Sequence, residues 1–228
     1  MTSFLTQYSE IARIVREAHE TRKMAHGHDF DHALAVANLA GKFCEGPELV
    51  NLAWLAGLCH NADRIIAIDR GMGRREVPDE AVEQLVRGWL EDALIGWRKS
   101  AAIHAVLDHG KPNDPNDTAV TIALKDADRV VNARLDVVIR SGQFHADLPV
   151  LEPTLLINDT RGKYNARLTV VADLLDCLDW GNLNDQRFGV RTSGARAMIT
   201  ARVKRLREFL EAIVEQREEE GLVPYPIA

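Results

Sequence analysis

The sequence has few cysteines, and none of them is paired at a metal-binding spacing. Its three cysteines, Cys44, Cys59 and Cys177, are odd in number and form no C-x-x-C pattern. A disulfide framework or a thiolate zinc site normally needs paired cysteines. We therefore expect three buried free thiols, as is typical of a reducing compartment.

Long apolar runs are also missing from the chain. No stretch is apolar over the roughly 20 residues that a membrane-spanning helix needs. The first ten residues, MTSFLTQYSE, lack the basic and apolar regions of a secretory signal. The sequence therefore predicts a cytoplasmic protein with no membrane partner.

The chain has no excess of basic residues, since 28 Lys and Arg stand against 34 Asp and Glu, for a net charge of -6. Nucleic-acid-binding surfaces normally carry a basic field, so no nucleic-acid partner is expected. Apolar residues make up 46% of the chain, which is enough for a large core in one domain of 228 residues. The formation of a homo-oligomer is left open.

Strand-like alternation is absent as well, and apolar residues recur instead at helical spacing. The pattern predicts helices over about 7–24, from about 31, over 47–60, from 78 through 89, over about 95–109, from 117 or 118 to 141, over 161–181 and from 192 or 193 to 221. We predict an all-α fold, a multi-helix bundle in a single domain over 1–228, with additional C-terminal helices over 153–228.

Polar residues follow the apolar run of the third predicted helix, in LAGLCHNADR at 55–64. A single histidine behind such a run is more often a hydrogen-bonded core residue than a ligand. Here His60 has companions on other predicted helices, His32 upstream and Asp126 downstream. Imidazole and carboxylate groups on separate helices are typical of a metal site in a helical core.

A mixed imidazole and carboxylate set favours a transition metal such as Mn, Fe, Co, Ni or Zn, whereas Mg prefers oxygen ligands alone. Such a divalent metal ion lowers the pKa of a bound water and polarises a phosphoryl group. The residues therefore predict a metal cofactor and the hydrolysis of a phosphate ester.

Three stretches, HDFDHALAVANLA, LAGLCHN and KDADRV, resemble in order and spacing the successive motifs of the HD-domain metal-dependent phosphohydrolases. The resemblance covers 26 to about 135, and it is closest to small bacterial HD hydrolases with an Asp-Ala-Asp-Arg third motif. It implies an HD-type helical fold. Carried over by position, the implied metal ligands are His32, His60, Asn61 and Asp126.

Asn61 departs from the family pattern, because the residue after the motif histidine is normally an aspartate. A neutral amide oxygen can still coordinate an ion, but the site loses one negative charge, which weakens divalent-ion binding. Asp63, two residues further on, could compensate, although a helical side chain at that position points in another direction.

The resemblance also implies residues that act on the substrate. His28 and Asp29 occupy the turn before the first ligand, where we expect substrate contact by His28 and general-base support by Asp29. Arg64 stands where many relatives carry a lysine, so it is expected to contact a phosphate during catalysis. Asp128 is expected to be a catalytic carboxylate. Arg129 is expected to take part in substrate binding, and its side chain either pairs with a carboxylate near the metal, which we favour, or faces solvent.

The segment 66–78, IAIDRGMGRREVP, loses the helical pattern, so we expect a loop there. Its Arg74 and Arg75 make it either a solvated connector or a lid that binds substrate phosphate.

His104 and His109 are five residues apart and do not share a helix face. They form either a second metal or phosphate-binding pair, or a helix-capping residue and an exposed one.

Two functional hypotheses follow. The preferred one is a metal-dependent phosphohydrolase acting on a small phosphorylated metabolite, with a nucleotide as the expected substrate. The alternative is a catalytically degenerate HD fold that senses nucleotides or binds a partner, and it rests on Asn61. Retention of the other predicted site residues favours the enzyme.

Overall fold

The computed structural model describes residues 4–24, 27–150 and 169–221. All regular secondary structure in these ranges is helical, which confirms the predicted all-α class. The α-helices are α1 (Phe4–Gln7), α2 (Ser9–Thr21), α3 (Phe30–Phe43), α4 (Pro47–Cys59), α5 (Ala62–Arg70), α6 (Asp79–Trp89), α7 (Trp97–Asp108), α8 (Ala119–Asn132), α9 (Val137–Phe144), α10 (Val170–Asp176) and α11 (Ser193–Glu219). Short 3-10 helices cover Arg74–Glu76 and Cys177–Gly181.

The contacts within the chain define two compact units. Unit 1 consists of Met1–Val131 and Val190–Ala195, and unit 2 consists of Asn132–Gly189 and Arg196–Ala228. All of the predicted site residues fall in unit 1. The organisation as a single domain stays a prediction.

Helix α4 is the central helix of unit 1. Every residue from Leu52 to Cys59 is buried, so the helix is apolar on all sides, as expected for a helix inside a core. Pro47 occupies its first turn, where a proline costs no hydrogen bond. Because α4 ends at Cys59, the polar residues that follow it begin inside the core.

Helices α3 and α4 pack side by side in opposite directions. A Cβ atom at Gly57 would lie 2.6 Å from the Cα atom of Ala37, so only glycine permits this close approach. The indole Nε1 of Trp54 donates a 2.9 Å hydrogen bond to Oδ1 of Asn38 across the same interface. This packing brings the first turn of α3, with His32, beside the end of α4, with His60.

The prediction of a loop from 66 to 78 is wrong over its first five residues. Helix α5 continues to Arg70 because Ile65, Ile66 and Ala67 are buried against the rest of unit 1. Gly71 then ends the helix in a left-handed conformation with φ of 60°. The segment carrying Arg74 and Arg75 is a 3-10 turn rather than an unstructured loop.

The long helix predicted to end at Ser141 is two helices. Helix α8 ends at Asn132 and α9 begins at Val137, with turns between them. The apolar pattern concealed the break because Leu135 continues the helical spacing of Val131, but Leu135 is exposed whereas Val131 is buried.

A buried ion cluster fastens residues 190–195 to α8 within unit 1. The Nζ atom of Lys125 lies 2.9 and 2.8 Å from the two carboxylate oxygens of Asp117, and both side chains are almost fully buried. Asp117 also accepts a 2.6 Å hydrogen bond from Arg191. Lys125 donates a further bond to the carbonyl of Pro112, which holds the turn before α8 in place.

Unit 2 has its own apolar core. The core consists of Val137, Val170, Val171, Leu174, Cys177, Leu206 and Leu210. Of the helix predicted over 161–181, residues 161–168 lie outside the described ranges, and the remainder forms α10 and a 3-10 helix.

The three cysteines are buried free thiols, as predicted. No helix in the described parts of the chain is long and apolar enough to cross a membrane.

Candidate metal centre

Three side chains from three helices converge in unit 1: His32 from α3, His60 after α4 and Asp128 from α8. One ligand atom of each lies within 4.8 Å of the others. The Asp128 Oδ1 atom is 3.2 Å from Nε2 of His32 and 3.8 Å from Nε2 of His60. Nitrogen and oxygen ligands held about 2.1 Å from one ion lie roughly 3.4 Å apart. We call these three residues the candidate metal centre.

The tautomer of His60 prepares it to coordinate an ion. Its Nδ1 atom lies 2.7 Å from the carbonyl oxygen of Gly57, and because a carbonyl can only accept, Nδ1 carries the proton. The lone pair is then on Nε2, the atom that faces Asp128. A backbone partner that fixes the ring in this way is usual for histidines that bind metals.

Asp126 is not the carboxylate of this centre, which corrects the prediction. Its two oxygens accept hydrogen bonds from the backbone N–H groups of Arg191, at 3.0 and 2.9 Å, and Thr192, at 2.7 Å. Asp128 takes the predicted position instead. Two residues along a helix turn a side chain by about 200°, so only one of the two carboxylates can face His32.

Electrostatics favour a cation at the centre. Burial depresses the pKa of His60 well below its usual value, so the ring is neutral near pH 7. Burial alone would raise the pKa of Asp128, but the hydrogen-bond contact with the His32 ring holds that pKa well below its usual value. The centre therefore combines an ionised carboxylate with a neutral imidazole, which is the protonation state that a metal ion needs.

Asn61, the predicted fourth ligand, is buried and bonded through its amide nitrogen. Nδ2 donates a 3.2 Å hydrogen bond to the carbonyl of His28 and lies 3.4 Å from Nε2 of His19. Its role as a metal ligand stays a prediction. Asp63 does not compensate for the missing charge, because its Oδ2 atom accepts a 2.5 Å hydrogen bond from Arg74.

His28 and Asp29 lie beside the centre, as their place in the chain predicts. The ring of His28 is 5.3 Å from the ring of His32, and its buried Nδ1 atom has no hydrogen-bond partner among the described residues. Burial, with Arg64 and His32 nearby, lowers the pKa of His28 to about 3. Asp29 caps α3 by accepting a 2.9 Å bond from the N–H of His32. Its predicted catalytic role stays a prediction.

Two cationic side chains flank the same region. The charges of Arg64 and Arg74 both contribute to the lowered pKa of His28, so both guanidinium groups lie near that ring. The Nη2 atom of Arg74 also lies 3.3 Å from Nε2 of His109. The ring of His109 lies 5.3 Å from the ring of His60. The 3-10 turn thus brings Arg74, but not the exposed Arg75, to the edge of the centre.

The structure separates His104 from His109. His109 ends α7, is buried, and donates from Nδ1 to the carbonyl of Val106 at 2.6 Å. His104 is exposed and its Nδ1 lies 3.0 Å from Asp108. The two histidines therefore form no pair, and the prediction that His104 contacts substrate is withdrawn.

Arg129 is partly buried and does not simply face solvent. Its Nη1 atom donates a 2.7 Å hydrogen bond to Oδ1 of Asn113. Burial lowers its pKa, and the charges of Asp126 and Asp128 oppose that shift, so both carboxylates are near. This environment is consistent with the favoured alternative, in which Arg129 pairs with a carboxylate near the metal. The role of Arg129 in substrate binding stays a prediction.

One residue of the site environment carries no role in the sequence-based predictions. His19 is buried on α2 and reaches Asn61 across 42 positions of sequence. Its own helix offered one signal: His19 lies four residues after Val15 and eight after Ile11, on the buried face. A histidine on such a face more often fills the core, and only the structure reveals its partner.

The fold and the centre together define a class, an all-helical protein with a histidine–histidine–aspartate cluster able to hold a metal ion. Residues 29–133 match the family model for the HD domain, which agrees with the motif region at about 26–135. The similarity to the HD domain thus belongs to this stretch of the chain, which contains all three residues of the candidate metal centre.

Two solved structures share the fold across nearly the whole chain. An HD-superfamily hydrolase from Bacillus thuringiensis has a TM-score of 0.66 at 17% identity, with 95% of this chain and 99% of that chain covered. A protein from Lactobacillus plantarum has a TM-score of 0.58 at 17% identity, with 94% and 98% covered. At this identity the likeness concerns the fold. The comparison with curated proteins found no match.

Proposed function

We propose that the protein is a metal-dependent phosphohydrolase that acts on a small phosphorylated metabolite, with a nucleotide as the expected substrate. The observation that carries the proposal is the convergence of His32, His60 and Asp128 within 4.8 Å, in a protonation state suited to a cation. The HD-domain match and the hydrolase from Bacillus thuringiensis with the same fold support it.

The candidate metal centre fits a divalent ion that is bound by nitrogen as well as oxygen. Its two imidazoles and one carboxylate favour Mn, Fe, Co, Ni or Zn over Mg. Such an ion, when bound, lowers the pKa of a coordinated water and polarises a phosphoryl oxygen.

The residues around the centre supply the expected contacts to a phosphate. Arg64 and Arg74 provide positive charge, and guanidinium groups bind phosphate oxygens at two points. The Nδ1 atom of His28 is a further polar contact, because it is buried and has no hydrogen-bond partner in the described parts of the chain. Asp29, held at the N-terminus of α3, is the proposed proton acceptor.

A panel of nucleotides and other phosphate esters tests the proposal. Protein purified without chelator is assayed for release of phosphate or pyrophosphate with Mn²⁺, Fe²⁺, Co²⁺, Ni²⁺, Zn²⁺ or Mg²⁺. We expect turnover that depends on the ion and is abolished in His60→Ala. Because the side chain of His60 is buried, circular dichroism checks that the variant remains helical before its activity is compared with that of the native protein. Absence of turnover across the panel would contradict the proposal.

A second candidate function, a nucleotide-binding sensor without turnover, is favoured by Asn61. Asn61 is neutral, so the site lacks the negative charge that the family's aspartate provides. Its amide nitrogen is hydrogen-bonded to the carbonyl of His28. Nucleotide binding without turnover, in both the native protein and Asn61→Asp, would make the sensor the better account.

A further inference from the structure

A buried histidine of α2, His19, uses both ring nitrogens beside the candidate metal centre. Only 2% of the residue is exposed, and its ring lies edge-on to that of Phe30 at 6.3 Å. Nδ1 lies 2.7 Å from the carbonyl oxygen of Val15, and Nε2 lies 3.4 Å from Nδ2 of Asn61. Buried polar atoms that are fully bonded hold one orientation.

The direction of each hydrogen bond follows from the chemistry of the partners. The carbonyl of Val15 can only accept, so Nδ1 of His19 carries the proton and Nε2 of the neutral ring accepts. Nδ2 of Asn61 therefore donates its two hydrogens to His19 and to the carbonyl of His28. Rotating the amide by 180° would place its oxygen against two acceptors.

We propose that His19 is a positioning residue, which keeps the amide oxygen of Asn61, rather than the amide nitrogen, available to a cation at the candidate metal centre. An amide oxygen binds a cation, whereas an amide nitrogen does not. The orientation of this one side chain thus decides whether Asn61 can serve as a ligand. The inference rests on the proposed metal-dependent function.

The need for His19 is specific to asparagine. An aspartate at position 61 has two equivalent oxygens, so rotation of its carboxylate leaves an oxygen in either place. An asparagine has only one side-chain oxygen, so its amide group must be held in one orientation for that oxygen to face the ion. Removing the acceptor at position 19 should therefore weaken ion binding when position 61 is asparagine, and should have little effect when it is aspartate.

Titration calorimetry with Mn²⁺ on four proteins tests this dependence: the native chain, His19→Phe, Asn61→Asp and the double variant. Phenylalanine retains the ring that packs against Phe30 but removes the acceptor. We expect His19→Phe to weaken Mn²⁺ binding about 10-fold or more, as is typical for loss of an outer partner of a ligand. In the Asn61→Asp background we expect the same substitution to change the affinity by less than about 2-fold, since no amide remains to be oriented.

A conservative variant and a measurement on the native protein complete the test. In His19→Gln the side-chain oxygen can replace the Nε2 acceptor, so most of the Mn²⁺ affinity should return. In the native protein the Nδ2 protons of Asn61 should exchange slowly with solvent by NMR, because both are buried and bonded. Rapid exchange of these protons would contradict the proposed orientation, whether or not His19→Phe folds.

The remaining outcomes separate this inference from the proposed function. Native Mn²⁺ binding that is unchanged in His19→Phe would overturn the role of His19 and leave the metal function standing. An equal loss in both backgrounds would identify His19 as a merely structural residue, and would also overturn the inference. Failure of the native protein to bind any divalent ion would overturn the proposed function, and this inference with it.

Discussion

Asp126 and Asp128 lie two residues apart on α8, yet their carboxylates serve different parts of unit 1. Asp128 faces His32, with Oδ1 3.2 Å from Nε2. Asp126 faces away and accepts backbone hydrogen bonds from Arg191 and Thr192. One motif thus provides both the carboxylate of the candidate metal centre and an anchor for residues 190–195.

Binding of a metal ion should stabilise the protein against unfolding. At an Mn²⁺ concentration of 100 times the dissociation constant, the gain is about 2.7 kcal/mol. For a chain of this size that corresponds to a rise in Tm of roughly 5–10 °C. Differential scanning calorimetry with Mn²⁺ and with EDTA measures the difference. His60→Ala should show no such rise, and a rise equal to that of the native protein would place the ion elsewhere.

Substitution of Arg74 should weaken substrate binding more than substitution of Arg75. Arg74 reaches both Asp63 and His109, whereas Arg75 is exposed. A hydrogen bond to a charged group contributes about 1.5–3 kcal/mol, so Arg74→Ala should raise KM for a phosphate ester by about 10-fold or more. Arg75→Ala is the matched control from the same 3-10 turn and should stay within about 2-fold, since exposed charges contribute little. Equal increases in KM for the two variants would contradict the greater contribution of Arg74 to substrate binding.

The two histidines of α7 should respond differently to truncation. His109 lies 5.3 Å from His60, ring to ring, and contacts Arg74, so His109→Ala should lower kcat/KM. His104 is exposed and contacts Asp108, and a surface pair of this kind contributes about 0–1 kcal/mol. His104→Ala should therefore leave both kcat/KM and Tm nearly unchanged. A large loss of turnover in His104→Ala would restore the histidine pair that the sequence suggested.

Removing one partner of the buried ion cluster should cost more unfolding free energy at Asp117 than at Lys125. Asp117→Asn leaves the ammonium group of Lys125 buried without a charged partner at hydrogen-bond distance, and such a change costs about 3–5 kcal/mol. Lys125→Met should cost less, because Asp117 still accepts from Arg191 and from the N–H of Asp114. Urea unfolding of the two variants measures the difference. A larger loss of unfolding free energy in Lys125→Met would contradict this order.

Much of the fold could be predicted because helical periodicity is a local property. Helix α4 follows from the proline at its start and the apolar run that ends before His60, and the structure agrees with both. The break between α8 and α9 could not be predicted, since Leu135 fits the helical spacing although it is exposed.

The site was predictable only as far as its motifs were local. Their order indicated that His32 and His60 would meet, which the packing of α3 against α4 achieves. The choice between Asp126 and Asp128 depends on Arg191 and Thr192, more than sixty residues away. The contact of His19 with Asn61 depends likewise on how α2 packs, so neither could be obtained from residue spacing.

The most direct test of the candidate metal centre compares Asp128→Asn with Asp126→Asn. Each substitution removes one negative charge from α8 and leaves a side chain of nearly the same size. Mn²⁺ affinity is measured by titration calorimetry on protein shown by circular dichroism to be folded. We expect Asp128→Asn to lose Mn²⁺ binding by about 100-fold or more, since it removes the anionic ligand. We expect Asp126→Asn to keep an affinity near that of the native protein while unfolding at lower urea concentration. Loss of binding in Asp126→Asn with retention in Asp128→Asn would contradict the centre described here.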